Sequence, residues 1–143
     1  MTSIRLYVVF TTLLALNLLG LWIYSGTVRG KTKTTPNEED ARTILPGSKL
    51  TDVEPPEIQR VLRAHANAMA NIIPFLFLGH LWIEVGTPKP LTVLIVCGTF
   101  TLARYGHSFT YVKGAQPWRS AFWALGVLAT LALVVLLTLG TFA

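Results

Sequence analysis

Hydrophobic and polar positions fall along this chain in long blocks, not in the alternation of a strand. Leu6–Tyr24 runs nineteen residues without a charge and Ser120–Ala143 runs twenty-four. Ala68–Ile83 adds sixteen more, and Leu91–Val112 is broken only by Arg104. About 20 mostly apolar residues in a helix cross a hydrocarbon core. The blocks therefore predict four membrane helices, at about 4–28, 56–86, 91–112 and 118–142, in a single domain spanning 1–143. Between the first two lies the hydrophilic stretch 30–55, rich in turn residues and mixed charge and expected to be a loop. Pro55-Pro56 open the second helix, and Glu54 and Glu57 suit its positive end. TPKP (87–90) and KGAQP (113–117) are short turns between the later helices. Short turns make neighbours antiparallel, so the expected fold is all-α: an integral-membrane, up-down four-helix bundle.

Composition sharpens this. Of 143 residues, 52% are hydrophobic and only 13% charged, which excludes an ordinary soluble domain. The first block is longer than a signal-peptide core and has no small-x-small site after it, so it is expected to stay as a helix. Ten of the twelve Lys and Arg lie in or beside the connections between the first and second and between the third and fourth helices, leaving Arg5 and Lys89 at the other end. The positive-inside rule then puts both connections in the cytoplasm and both termini on the non-cytoplasmic side. The membrane is expected to be a bacterial inner membrane or the endoplasmic reticulum. The single cysteine, Cys97, lies mid-span, where a thiol serves as a small apolar filler.

Polar residues inside the helices carry the chemistry. At 100° per residue, Arg60, Arg63, Asn67, Asn71 and Pro74 share a sector of roughly 80° on the second helix, with His65 on the other side. On the third, Arg104, His107, Ser108 and Tyr111 recur at spacings of three and four. On the fourth, Arg119 and Trp123 are one turn apart, with Ser120 alongside. Three helices thus present polar groups at their cytoplasmic ends. Arg104 lies nine residues before Lys113, or about 13 Å inside the helix end. An arginine at that depth costs at least about 2.5 kcal/mol without a partner. Yet Glu84, near the opposite end, is the one acid in the apolar body of these helices. The deficit of acids points to an anion brought from outside. A metal site is not expected from His107 and Tyr111 alone. No phosphate loop, nucleophile elbow or dinucleotide fingerprint is present, and no nucleic-acid partner is expected.

RVLRAHANAMANIIPFLFLG (60–79) resembles the second-helix signature of the MAPEG family, the membrane-associated proteins of eicosanoid and glutathione metabolism. The similarity extends to TVRGKTKTTPNEEDA (27–41), where Arg29 and Asp40 fall in matching positions, and to ARYGHSFTYVKGAQPWRSAFW (103–123). The resemblance implies a homotrimer with glutathione held between subunits near the cytosolic side. It assigns Arg29, Arg63, Asn67, Arg104, His107, Tyr111 and Trp123 to the glutathione pocket. Arg119 and Ser120 correspond to the pair beside its sulfur, and Asp40 to an acid discussed as a proton partner. A lipophilic substrate would enter from the membrane lipids.

The chemistry of the residues agrees with this. Glutathione carries two carboxylates, which suit arginines, and a thiol of ordinary pKa about 8.5, which must ionise to attack. The expected activity is a glutathione-dependent membrane enzyme of transferase, peroxidase or isomerase type, acting on lipophilic electrophiles or lipid peroxides. Three positions depart from the family pattern. Ala70 replaces an acid, Ala66 replaces an arginine of the isomerase branch, and Trp123 replaces its tyrosine. These departures keep open a non-catalytic lipid-binding or partner-activating protein of the same family.

Overall fold

The computed structural model describes residues 1–142. Four long helices, α1 (Ser3–Thr32), α3 (Pro56–Val85), α4 (Pro90–Lys113) and α5 (Trp118–Phe142), lie within one or two residues of their expected bounds, except that α1 runs four residues further. α1, α3 and α5 are each long and apolar enough to cross a membrane. α4 is shorter and buries Arg104, His107 and Ser108, while Leu94, Ile95, Leu102 and Phe109 stay exposed on its outer side.

The stretch 30–55 is not a plain loop. α1 continues through it to Thr32 and stops where Lys33 takes left-handed backbone angles (φ 49°, ψ 48°). A short helix, α2 (Glu38–Arg42), follows, and β1 (Thr34–Thr35) pairs in parallel with β2 (Lys49–Leu50). Lys49 N donates to Lys33 O at 2.8 Å and Thr51 N to Thr35 O at 3.0 Å. These bonds close the segment into a clasp between α1 and α3. The expectation failed because a two-residue ladder leaves no hydrophobic period to read.

Helix ends follow local chemistry. Pro56 occupies the first turn of α3, where its missing N–H would have had no partner anyway. Pro74 interrupts the ladder of α3 without ending the helix. Gly114 closes α4 at φ 70°, and Ala115 N returns to Thr110 O at 2.9 Å. That is the left-handed close that glycine adopts without a Cβ clash.

α3 and α4 touch each other and both remaining long helices, whereas α1 and α5 do not meet. They therefore flank a central α3–α4 pair. Phe75 of α3 stacks on Phe100 of α4, with centroids 3.6 Å apart, inside a cluster that includes Leu14, Ile72, Val93, Cys97 and Leu133. Polar links join the helices where lipid offers no hydrophobic drive between them. Ser108 Oγ donates to Asn17 Oδ1 at 3.0 Å, and Tyr105 Oη to Leu13 O at 2.8 Å.

α4 and α5 pack tightly at Gly106, where a Cβ would lie 2.5–2.7 Å from three atoms of the Phe122 ring. Gly98 is roomier, with Phe10 Cζ at 3.5 Å. Alanine gains about 0.5–1 kcal/mol over glycine in a helix, while overpacking costs about 1–3 kcal/mol. Gly106→Ala is therefore expected to lower unfolding stability in detergent by about 1–2 kcal/mol. Gly98→Ala should be neutral or stabilising, and equal effects of the two would contradict the packing described.

Candidate functional site: a cationic cleft at the α3, α4 and α5 ends

The cleft is built from one short stretch of each helix. Asn67 comes from α3, His107 and Tyr111 from one face of α4, and Arg119, Ser120 and Trp123 from the first turns of α5. Together they line a cavity of about 210 Å³. The 3.6-residue period places His107 one turn from Tyr111 and Arg119 one turn from Trp123. The close of α4 at Gly114 and the turn to Trp118 bring the two faces together.

Arg104 lies behind this wall, fully buried. Its Nη2 donates to Asn67 Oδ1 at 3.0 Å and meets His107 Nδ1 at 3.2 Å. A guanidinium has N–H donors and no acceptor, so His107 Nδ1 must accept. The imidazole is therefore neutral, with its hydrogen on Nε2. Arg104 Nε and Nη1 find no acceptor among the described residues. No carboxylate reaches this guanidinium: the ion pairs among the described residues are Arg29–Glu54 and Arg42–Glu38. Asn67 is held in turn, since Asn71 Nδ2 donates to its backbone oxygen at 2.8 Å.

The outer wall rests on an aromatic frame. The His107 and Tyr111 rings meet edge to face, with centroids 5.4 Å apart. The Arg119 guanidinium lies over the Tyr111 ring, its Cζ 4.8 Å from the centroid, a cation–π placement. Ser120 and Trp123 are exposed at the mouth.

Three expected site residues lie elsewhere. Arg29, at the end of α1, pairs with Glu54, leaving Arg29 Nε and Glu54 Oε2 buried without partners. Asp40 sits on α2, where its Oδ2 accepts from Asn37 Nδ2 at 3.0 Å. Arg63 is exposed on α3 and donates to Gln59 Oε1 at 3.0 Å, one turn back. Glu54, by sequence only a favourable charge at a helix start, is the acid that takes up Arg29. Gln116, by sequence only a turn residue, has its amide 3.1 Å from Ser120 Oγ. Its spacing of three and four residues from Arg119 and Ser120 was the available signal.

The profile described as "MAPEG family" matches residues 7–139. The chain belongs to the MAPEG family. Relatives within reach of it include prostaglandin E synthase of Homo sapiens, 34% identical over 133 residues, covering 91% of this chain and 86% of the relative. Prostaglandin E synthase of Macaca fascicularis is 35% identical over the same shares. Microsomal glutathione S-transferase 1 of Homo sapiens is 38% identical over 77 residues, covering 53% of this chain and 49% of that protein. The span matched by the family, 7–139, contains every residue of the cleft wall.

Removing the acceptor of a buried charged donor costs more than removing both groups. Asn67→Leu is expected to destabilise the protein by about 1–3 kcal/mol. Asn67→Leu combined with Arg104→Met should cost less than the sum of the two single changes. Unfolding in detergent measures both, and strict additivity would show that the hydrogen bond does not couple them.

Proposed function

We propose that this chain is a glutathione-dependent membrane enzyme that uses the cleft to activate a thiol against lipophilic electrophiles or peroxides. The observation that carries this reading is charge without compensation. Arg119 stands in the cleft wall and Arg104 behind it, and neither meets a carboxylate among the described residues. Such a wall suits a small polyanionic ligand. The names of the relatives, prostaglandin E synthase and glutathione S-transferase, support glutathione as that ligand and an isomerase or transferase as the activity.

The donor set fits the tripeptide. Asn67, the His107 Nε2–H and the Tyr111 hydroxyl supply neutral hydrogen-bonding groups for its peptide and carboxylate ends. Arg119 and Ser120 supply a cation and a hydroxyl for its sulfur. When bound, glutathione brings a nucleophilic thiol. The guanidinium of Arg119, held over Tyr111, stabilises negative charge at the sulfur, and Ser120 can donate one hydrogen bond to it. Trp123 and the open mouth face the side from which a lipophilic partner would come. Arg104 acts through Asn67 and His107, fixing their orientation.

A cavity of about 210 Å³ is smaller than the roughly 300–1,000 Å³ of complete small-molecule sites. We take it as the share of one subunit in a site completed by a neighbour, in a trimer of four-helix membrane bundles. Arg29, Arg63 and Asp40, which lie outside this cleft, are the residues to look for across that subunit boundary. In this reading the 30–55 clasp and the 113–117 turn face the cytoplasm.

A second reading, a lipid-binding scaffold without catalysis, is favoured by the mostly apolar open groove on α3 lined by His65, Ala66, Met69, Ala70, Ile73 and Pro74. Calorimetric titration with glutathione separates the two, because a scaffold should give no saturable heat. The enzyme reading expects saturable binding together with thiol conjugation or hydroperoxide reduction in liposomes. Binding with neither conjugation of electrophiles nor reduction of hydroperoxides would count against it. Arg119→Ala should lower turnover at neutral pH by about tenfold for each unit by which the thiol pKa rises. Glutathione affinity should change far less.

A further inference from the structure

Gln116 lies in the turn before α5, outside the set of residues assigned to the cleft, and its amide touches the two groups placed at the sulfur. The turn itself is fixed: Arg119 N donates to Ala115 O at 3.1 Å and Ser120 N to Pro117 O at 3.0 Å. With its oxygen toward Arg119, the Gln116 amide accepts from Nη2 at 2.7 Å and from Nε at 3.1 Å, while its Nε2 donates to Ser120 Oγ at 3.1 Å. The opposite orientation lets Ser120 Oγ donate to Oε1 at 3.1 Å, but it sets the amide N–H₂ against a guanidinium that has nothing to accept with. The first orientation satisfies all three contacts, so it is the one the neighbours dictate.

That orientation has a chemical consequence. Ser120 Oγ spends a lone pair on Gln116 and keeps its own hydrogen. Among the described residues, Ser120 has no other side-chain partner to claim that hydrogen. Arg119, meanwhile, is clamped from two sides, by the amide oxygen at its edge and the Tyr111 ring at its face.

We infer that Gln116 is a positioning residue that turns the Ser120 hydroxyl hydrogen and the Arg119 guanidinium together toward an anionic sulfur in the cleft. This rests on the glutathione reading above and deepens it. Gln116 need not touch the ligand, since it works by settling which of its neighbours donates and which accepts. The bond made is a hydrogen bond from Ser120 to the sulfur, and no covalent step is added. The titratable groups facing the cleft are His107 and Tyr111 from α4 and Arg119 from α5, while α3 contributes the uncharged Asn67.

The test measures the pH midpoint of the bound thiol by ultraviolet thiolate absorbance, in the full-length protein in detergent, beside glutathione affinity by calorimetry. Gln116→Leu should raise that midpoint by about half to one unit, a roughly three- to tenfold loss of ionised thiol at a fixed pH below it. Affinity should stay within about threefold. Gln116→Ala, smaller and equally unable to bond, should behave alike, which guards against a local effect of leucine. In a Ser120→Ala background the effect of Gln116→Leu should shrink, because one of its two targets is gone. An unchanged midpoint in both Gln116 variants overturns the positioning role and leaves the glutathione reading standing. So does a loss of affinity alone, or full independence of Gln116→Leu from Ser120→Ala. If the wild-type protein shows neither glutathione heat nor a thiolate signal, the glutathione reading falls and this inference falls with it.

Discussion

A single buried guanidinium organises the working end of this protein. Arg104 is sealed from solvent between the helices and meets no acid, so its charge must be met by neutral acceptors. Asn67 and His107 are those acceptors, one from the neighbouring helix and one a turn further along its own. Burying such a group is expensive, and the expense constrains everything near it. The orientation of the Asn67 amide is set, His107 is neutral with its hydrogen on the far nitrogen, and Tyr111 packs against that ring. The cleft surface is thus the outer side of a network whose inner side is one cation.

The same arrangement divides labour between depth and mouth. The groups near Arg104 are neutral donors and acceptors in fixed poses, suited to recognising a peptide-like ligand by shape and hydrogen bonding. The groups on α5 are a cation and a hydroxyl at the exposed rim, where Trp123 is 47% accessible. The proposed thiol chemistry would use that layout, with the polar component gripped inside and the sulfur near the exposed rim. Membership in the MAPEG family is consistent with this division, and the family match spans both parts.

Much of this was legible in the sequence because its signals are periodic. Uncharged runs gave the four long helices to within a few residues, and spacings of three and four put Arg104, His107 and Tyr111 on one face. The face of α4 and the start of α5 did meet, and six expected site residues line one cleft. Depth read from Lys113 rightly marked Arg104 as a residue in need of a partner. What stayed hidden depended on contacts far apart in sequence or too short to repeat. Arg29 is taken by Glu54, twenty-five residues away, and nothing in the spacing announces that pair. The β1–β2 clasp is two residues per strand. Arg63 shares the sector of Asn67, yet it sits a turn nearer the helix start and reaches Gln59 instead. A helical wheel gives direction but not depth.

The turn between α4 and α5 is only a few residues long, and it lies at the rim of the cleft. Positions in such turns are usually free to vary, since membrane insertion and core packing ignore them. Here one of them is wired to the groups that would govern reactivity. Diversifying these few surface positions would change how strongly the rim polarises a nucleophile while leaving the lipid-embedded framework intact. That gives natural drift and laboratory evolution alike an inexpensive dial on this protein's chemistry.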